Sequence, residues 1–153
     1  MKEKYLDSED LSILLFLSLF VIYAVVYMTK NMFSAAMATI VEEGFMTKSQ
    51  TGLINAVFWL VYAPFQILGG FAADKYSPYK LIMVGLAGIL ISNLVIYFNQ
   101  SYFVMMCAWA FNAMAQFGLW PGIFKIVSTQ ISPRIRGAAI FWLLFSTSLG
   151  LPS

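Results

Sequence analysis

Lys30 stands inside a segment, residues 11–41, that holds no other charge. Tyr23, Tyr27, Lys30, Asn31 and Ser34 fall at i, i+4, i+7, i+8 and i+11, which on a helix is one face. Two further stripes share this spacing. Asn55, Trp59, Tyr62 and Gln66 fall at i, i+4, i+7 and i+11, and Asn112, Gln116 and Trp120 at i, i+4 and i+8. These residue types bind rather than react. Phenols, amides and hydroxyls donate and accept hydrogen bonds, and an ammonium adds positive charge. A nucleophile needs a base beside it, and the sequence has no histidine. Its one cysteine, Cys107, lies in an apolar run and reads as a small hydrophobe. It has no partner for an internal disulfide, and there is no metal-type cysteine spacing. Neither GxSxG, nor HExxH, nor a glycine-rich phosphate loop is present. The expectation is ligand binding without catalysis, cofactor or metal.

Composition says what surrounds the helices that carry these stripes. Of 153 residues, 61% are hydrophobic and 10% charged, against about 25% charged in soluble domains. That excludes a disordered chain, a nucleic-acid binder and a water-soluble globule. The chain is read as an integral membrane protein in a lipid bilayer. A net charge of +2 says nothing of an acidic partner; the placement of the charges is what matters. Apolar runs predict spans at about 11–38, 49–71, 81–98, 102–127 and 138–153, the last stopping with the chain. Residues 1–10 carry four acidic residues against two lysines, unlike the basic start of a secretory signal, so the first span is read as retained. Sorting the loops by side, with the N-terminus cytoplasmic, puts Lys2, Lys4, Lys75, Lys80, Arg134 and Arg136 inside and Lys48 alone outside. Six against one is the positive-inside pattern.

Polar groups in hydrocarbon face protein or a water-filled cavity. Three polar–aromatic stripes therefore point to a shared aqueous cavity, the competing account being hydrogen bonds that glue helices together. A lysine ending the first span would snorkel to the outer interface. The ten residues after Asn31 are too apolar for an aqueous loop, so the helix is expected to continue to Ala38. Lys30 then lies about two turns inside its outer end, where its ammonium needs a counter-charge, a polar cavity or an anionic ligand. Lys125 lies about 180° around a helix from Gln116. It is assigned a structural role, snorkelling to the cytoplasmic end or pairing with Asp74. Pro121 is expected to distort its helix.

The turn after the second span reads Gly70-Phe71-Ala72-Ala73-Asp74-Lys75-Tyr76-Ser77-Pro78-Tyr79-Lys80. It resembles the G-x-x-x-D-[RK]-x-G-[RK] loop between helices two and three of the major facilitator superfamily, with Ser77-Pro78 in place of the usual glycine. Small residues there permit close helix approach. Within that superfamily the chain resembles the organophosphate:phosphate antiporters. Their first-helix pattern is matched by Lys30, Phe33, Met37 and Val41-Glu42-Glu43-Gly44-Phe45, and their fourth-helix pattern by Gln116, Trp120-Pro121 and Lys125. Arg136-Gly137 follows as in their next loop. The resemblance puts Lys30 where those carriers place a substrate-phosphate arginine. It also marks departures, with Asn31, Gln66 and Thr147 at positions that are basic or histidine in the family.

The resemblance implies an all-α polytopic membrane bundle, comprising helices one to four and most of helix five of the six-helix N-terminal half of a twelve-helix fold. It implies a secondary transporter moving a small, anionic organic solute by alternating access. Lys30 would supply positive charge, and Tyr27, Asn31, Gln66, Gln116 and Thr147 hydrogen bonds. Gly70, Asp74, Lys75 and Arg136 would serve the cytoplasmic switch. The expected location is the plasma (inner) membrane. The chain reads as a fragment whose missing C-terminal half is needed for transport. The alternative is a non-transporting membrane sensor or scaffold of the same fold.

Overall fold

The computed structural model of the chain describes residues 9–99 and 101–148. The described chain is helical and its connections are short. Six α-helices follow in order: α1 Glu9–Glu42, α2 Lys48–Lys75, α3 Pro78–Phe98, α4 Tyr102–Ala115, α5 Leu119–Gln130 and α6 Pro133–Ser148. A 3₁₀ turn, Gln116–Gly118, joins α4 to α5. Three helices, α1, α2 and α3, and the stretch Tyr102–Gln130 are long and apolar enough to cross a membrane. Most of residues 1–10, and the last five residues of the expected fifth span, lie outside the described residues.

The helices overrun the spans that apolar runs delimit, because their ends are set by local caps rather than by hydropathy. α1 has 34 residues, about 51 Å at 1.5 Å per residue. It continues past Ala38 until glycine stops it. Gly44 adopts φ 77°, its N–H donates to Val41 O at 3.1 Å, and the Phe45 N–H donates to Ile40 O at 3.1 Å. These two bonds form the Schellman motif that closes a helix on a left-handed residue. α2 opens on a capping box. The Gln50 N–H donates to Thr47 Oγ1 at 3.2 Å, and the Thr47 N–H donates to Gln50 Oε1 at 2.9 Å. α3 opens with Pro78 behind Ser77, and α6 with Pro133 behind Ser132. Proline at a first helical position has no N–H to leave unsatisfied.

The interruption before α5 has a cause in Pro121. Proline offers no N–H to the carbonyl four residues back and its ring crowds that carbonyl. That carbonyl belongs to Phe117, inside the 3₁₀ turn. The expected distortion of the fourth span thus falls at 116–118.

The described chain forms two compact units, one of α1 up to Thr39 with the chain from Phe124, the other Ile40–Ile123. In the second, α4 and the 3₁₀ turn pack against both α2 and α3. Glycines set that spacing. A Cβ on Gly69 of α2 would run into the Phe117 carbonyl, and one on Gly88 of α3 into the Ala115 side chain. Ile54, Phe58, Ile82, Ile89, Met105, Trp109 and Ile123 fill the core between them. In the first unit α1 buries Leu19, Tyr23, Val26, Phe33 and Met37, and the chain from Phe124 buries Ile126, Val127, Ile131, Ala139 and Leu143. The outward surface is apolar too: Leu14, Leu60, Ile67, Phe71, Met83 and Phe98 are each more than half exposed. Hydrocarbon outside, with backbone bonds satisfied within helices, is the arrangement a bilayer requires.

Candidate solute-binding site

In the first unit the candidate residues line one face of α1. The Tyr23 and Tyr27 rings lie 4.9 Å apart at 58°. Lys30 Nζ sits 5.1 Å from the centre of the Tyr27 ring, within cation–π range. Tyr23 is buried, whereas Tyr27, Lys30 and Asn31 are half-buried and Ser34 is exposed. Because α1 runs on to Glu42, Lys30 lies 12 residues from its end, about 18 Å along the axis. That is deeper than a helix ending at Ala38 would place it. Arg136 and Thr147 belong to the same unit. The Arg136 guanidinium donates from Nη2 to Ile131 O at 3.3 Å, and Thr147 is carried by α6.

In the second unit Gln66 and Gln116 come together. Gln66 Nε2 of α2 donates to Gln116 O at 3.2 Å. That carbonyl also accepts the Leu119 N–H closing the 3₁₀ turn. Gln116 Nε2 in turn donates to Asn112 Oδ1 at 2.5 Å. Asn112 is 1% exposed and Gln116 4%, and Asn112 Nδ2 has no hydrogen-bond partner among the described residues. The Gln66 amide is therefore engaged between helices, as the gluing account of the stripes anticipates, and the Gln116 amide bonds within its own span. Asn112 joins the chain of amides although it was not among the expected site residues; its i, i+4 spacing to Gln116 was the available signal.

The second-span stripe divides. Phe58 rather than Trp59 faces the core, stacking on Tyr62 at 5.6 Å and on Trp109 at 5.0 Å, while Trp59 is 59% exposed. At the helix end, Gly70, Asp74 and Lys75 are exposed. Gly70 has open space where a Cβ would go; the close approach falls one residue earlier, at Gly69. Lys125 is half-buried in the first unit, its carbonyl accepting Ser128 Oγ at 3.0 Å and Thr129 Oγ1 at 2.6 Å. An apolar hollow of about 300 Å³ lies against α3 and α4, lined by Val95, Phe103, Cys107 and Phe111. Its one hydroxyl, on Ser92, is already bonded to Ala108 O at 2.7 Å, so it offers a polar solute nothing. Among the described residues no cluster of histidine, cysteine or acidic side chains is arranged to hold a metal.

Residues 19–152 match the family model described as Major Facilitator Superfamily. The chain belongs to the major facilitator superfamily. It is an integral, multi-pass membrane protein of that superfamily, and its relatives are those of the organophosphate:phosphate antiporter family. The membrane sensor protein UhpC of Salmonella typhimurium is 27% identical over 126 residues, covering 82% of this chain and 28% of that protein. A probable hexose phosphate transport protein of Chlamydia trachomatis is 26% identical over 134 residues, covering 88% and 29% respectively. The probable sulfoacetate transporter SauU of Cupriavidus necator is 42% identical over 62 residues, covering 40% of this chain and 14% of that protein. The chain thus spans less than a third of the length of these relatives. No solved structure matches it.

Proposed function

We propose that the protein carrying this chain is a secondary transporter of a small organic anion, working by alternating access from the plasma membrane with its N-terminus in the cytoplasm. The observation that carries the reading is Lys30. Its backbone lies about 18 Å from the end of α1, on a half-buried face shared with Tyr27 and Asn31. A charge at that depth is functional by default and needs a counter-charge, a cavity or an anion. Carriers of this superfamily hold substrate near the midplane at the interface of helix repeats and rock around it. In this reading Lys30, Tyr27, Asn31 and Thr147 contact the solute. Gln66 and Gln116 fasten α2 to the broken fourth span, so that the wall they build keeps its shape. Gly70, Asp74, Lys75 and Arg136 serve the cytoplasmic gate. Relatives named for hexose phosphate and sulfoacetate transport support an anionic solute.

The test is uptake by the complete protein in proteoliposomes. Lys30→Ala is expected to abolish uptake of an anionic solute that the unmodified protein carries. Full uptake by a correctly folded Lys30→Ala protein would remove Lys30 from the site. A second reading, a membrane sensor, is favoured by the relative named as one. Saturable ligand binding without flux in the same proteoliposomes would establish it in place of transport.

A further inference from the structure

We infer that Trp59, with the small residues beside it on α2, is a platform for the carbon body of the transported solute. This rests on the reading of the protein as a carrier of a small organic anion. At about 100° per residue, α2 divides into three sectors. Ile54, Phe58 and Gly69 are buried in the core. Leu60, Ile67 and Phe71, each more than half exposed, suit hydrocarbon. Trp59 stands between these two sectors. Within about 60° of it on one side are Gly52, Ala56, Ala63 and Gly70, all exposed. Within about 60° on the other side, toward the core, are Asn55, Tyr62 and Gln66, all half-buried.

Lipid does not account for this third sector. Amides in a membrane face protein or water. Tryptophan collects at membrane interfaces, yet Trp59 stands about 17 Å from the start of α2 and about 24 Å from its end. Close packing of another helix does not account for it either. Small residues invite such packing, but the indole stands between Ala56 and Ala63 and holds a straight neighbour off. The indole itself is held. The Phe58 and Tyr62 rings cross it at 86° and 83°, with centroids 5.4 and 5.6 Å away, and they stack on each other at 14°. Trp59 remains 59% exposed all the same. Alanine at 56 and 63 leaves room along its flank. A fixed aromatic surface beside an amide such as Asn55 is the lining of an organic-solute site, where apolar area attracts and a few polar groups orient. An inorganic oxyanion has no carbon surface to lay on the indole. Trp59 therefore sorts solutes by their body, not by their charge.

The complete protein is tested in proteoliposomes, with its native cysteines replaced. Ala56→Cys and Ala63→Cys are expected to react with a membrane-impermeant thiosulfonate, and Leu60→Cys and Ile67→Cys to stay unreactive. Protection of Ala63→Cys is then titrated with acetate and inorganic phosphate, which have little or no carbon body, and with cyclohexanecarboxylate and glucose 6-phosphate, which have a ring. The ring compounds are expected to protect at about tenfold lower concentration than the others. Trp59→Ala is expected to erase that ratio, and Trp59→Phe, which keeps a ring, to retain most of it. Silence at both Ala56→Cys and Ala63→Cys would mean that a helix or lipid covers the sector, and would overturn the platform without touching Lys30. Reaction there with equal protection by both kinds of compound would overturn stacking while leaving anion binding intact. Reaction without protection by any of the four would overturn both the platform and the anion-carrier reading beneath it.

Discussion

The amides Gln66, Gln116 and Asn112 share a chain of bonds but not an equal importance. The Gln116 carbonyl accepts both Gln66 Nε2 and the Leu119 N–H, so Gln66→Leu leaves it one partner. Interhelical hydrogen bonds in membranes average about 0.6 kcal/mol, and Gln66→Leu is expected to cost about that. Gln116→Leu is different. It takes away the donor to Asn112 Oδ1 in a side chain that is 1% exposed and whose Nδ2 already lacks a partner among the described residues. Leaving a buried polar group unsatisfied costs about 1–3 kcal/mol. Thermal unfolding in detergent is expected to rank Gln116→Leu well below Gln66→Leu; the reverse order would show that the amide chain is not what holds Asn112. At this scale the sequence was legible where bonds are local. The i, i+4 spacing of Asn112 and Gln116 foretells their contact, and the spacing of Tyr27 and Lys30 puts them on one face. The bond from Gln66 to a backbone carbonyl was not legible, because an unbroken helix would have used that carbonyl internally.

Between elements, one proline and one glycine act together. Pro121 cannot bond the Phe117 carbonyl, and that carbonyl lies where a Cβ on Gly69 would have to be. The kink and the close approach of α2 are thus two sides of one contact. Gly69→Ala must push α2 away from the 3₁₀ turn or force the turn to rewind, and overpacking of this kind costs about 1–3 kcal/mol. At Gly70 nothing lies within 4 Å of the place a methyl group would take, and alanine there improves helix propensity by up to about 1 kcal/mol. A matched pair of variants is therefore expected to part company: Gly69→Ala lowers the melting temperature, and Gly70→Ala leaves it equal or higher. Equal losses would mean that the whole Gly-Gly step packs against a neighbour. The sequence told of the kink through Pro121 and of small residues through the loop motif. It did not tell which glycine is packed, since neighbours on a helix differ only by about 100° of rotation, and only the position of the opposing helix decides.

For the whole molecule the governing fact is that charge is scarce and sorted. Apolar side chains cover the outward surface, so the helices cross a bilayer, and two-residue links such as 76–77 and 131–132 leave no length for a loop to cross back. Consecutive spans must then run in opposite directions. The only free choice is which end faces the cytoplasm, and basic residues near span ends make it. Lys75 and Lys80 flank the link from α2 to α3, and Arg134 and Arg136 begin α6, while Lys48 is the lone basic residue at the link from α1 to α2. The links at 76–77 and 131–132 are separated by two spans, α3 and the stretch Tyr102–Gln130, so one orientation satisfies both basic pairs at once. Replacing Cys107 by alanine and introducing Glu43→Cys or Ser77→Cys, each at an exposed position, allows a direct measurement. A membrane-impermeant maleimide added to intact cells is expected to label Glu43→Cys and to reach Ser77→Cys only after permeabilisation. The opposite pattern would invert the chain and turn the end of α1 nearer Lys30 toward the cytoplasm. A solute entering from outside would then meet Lys30 only after passing most of α1.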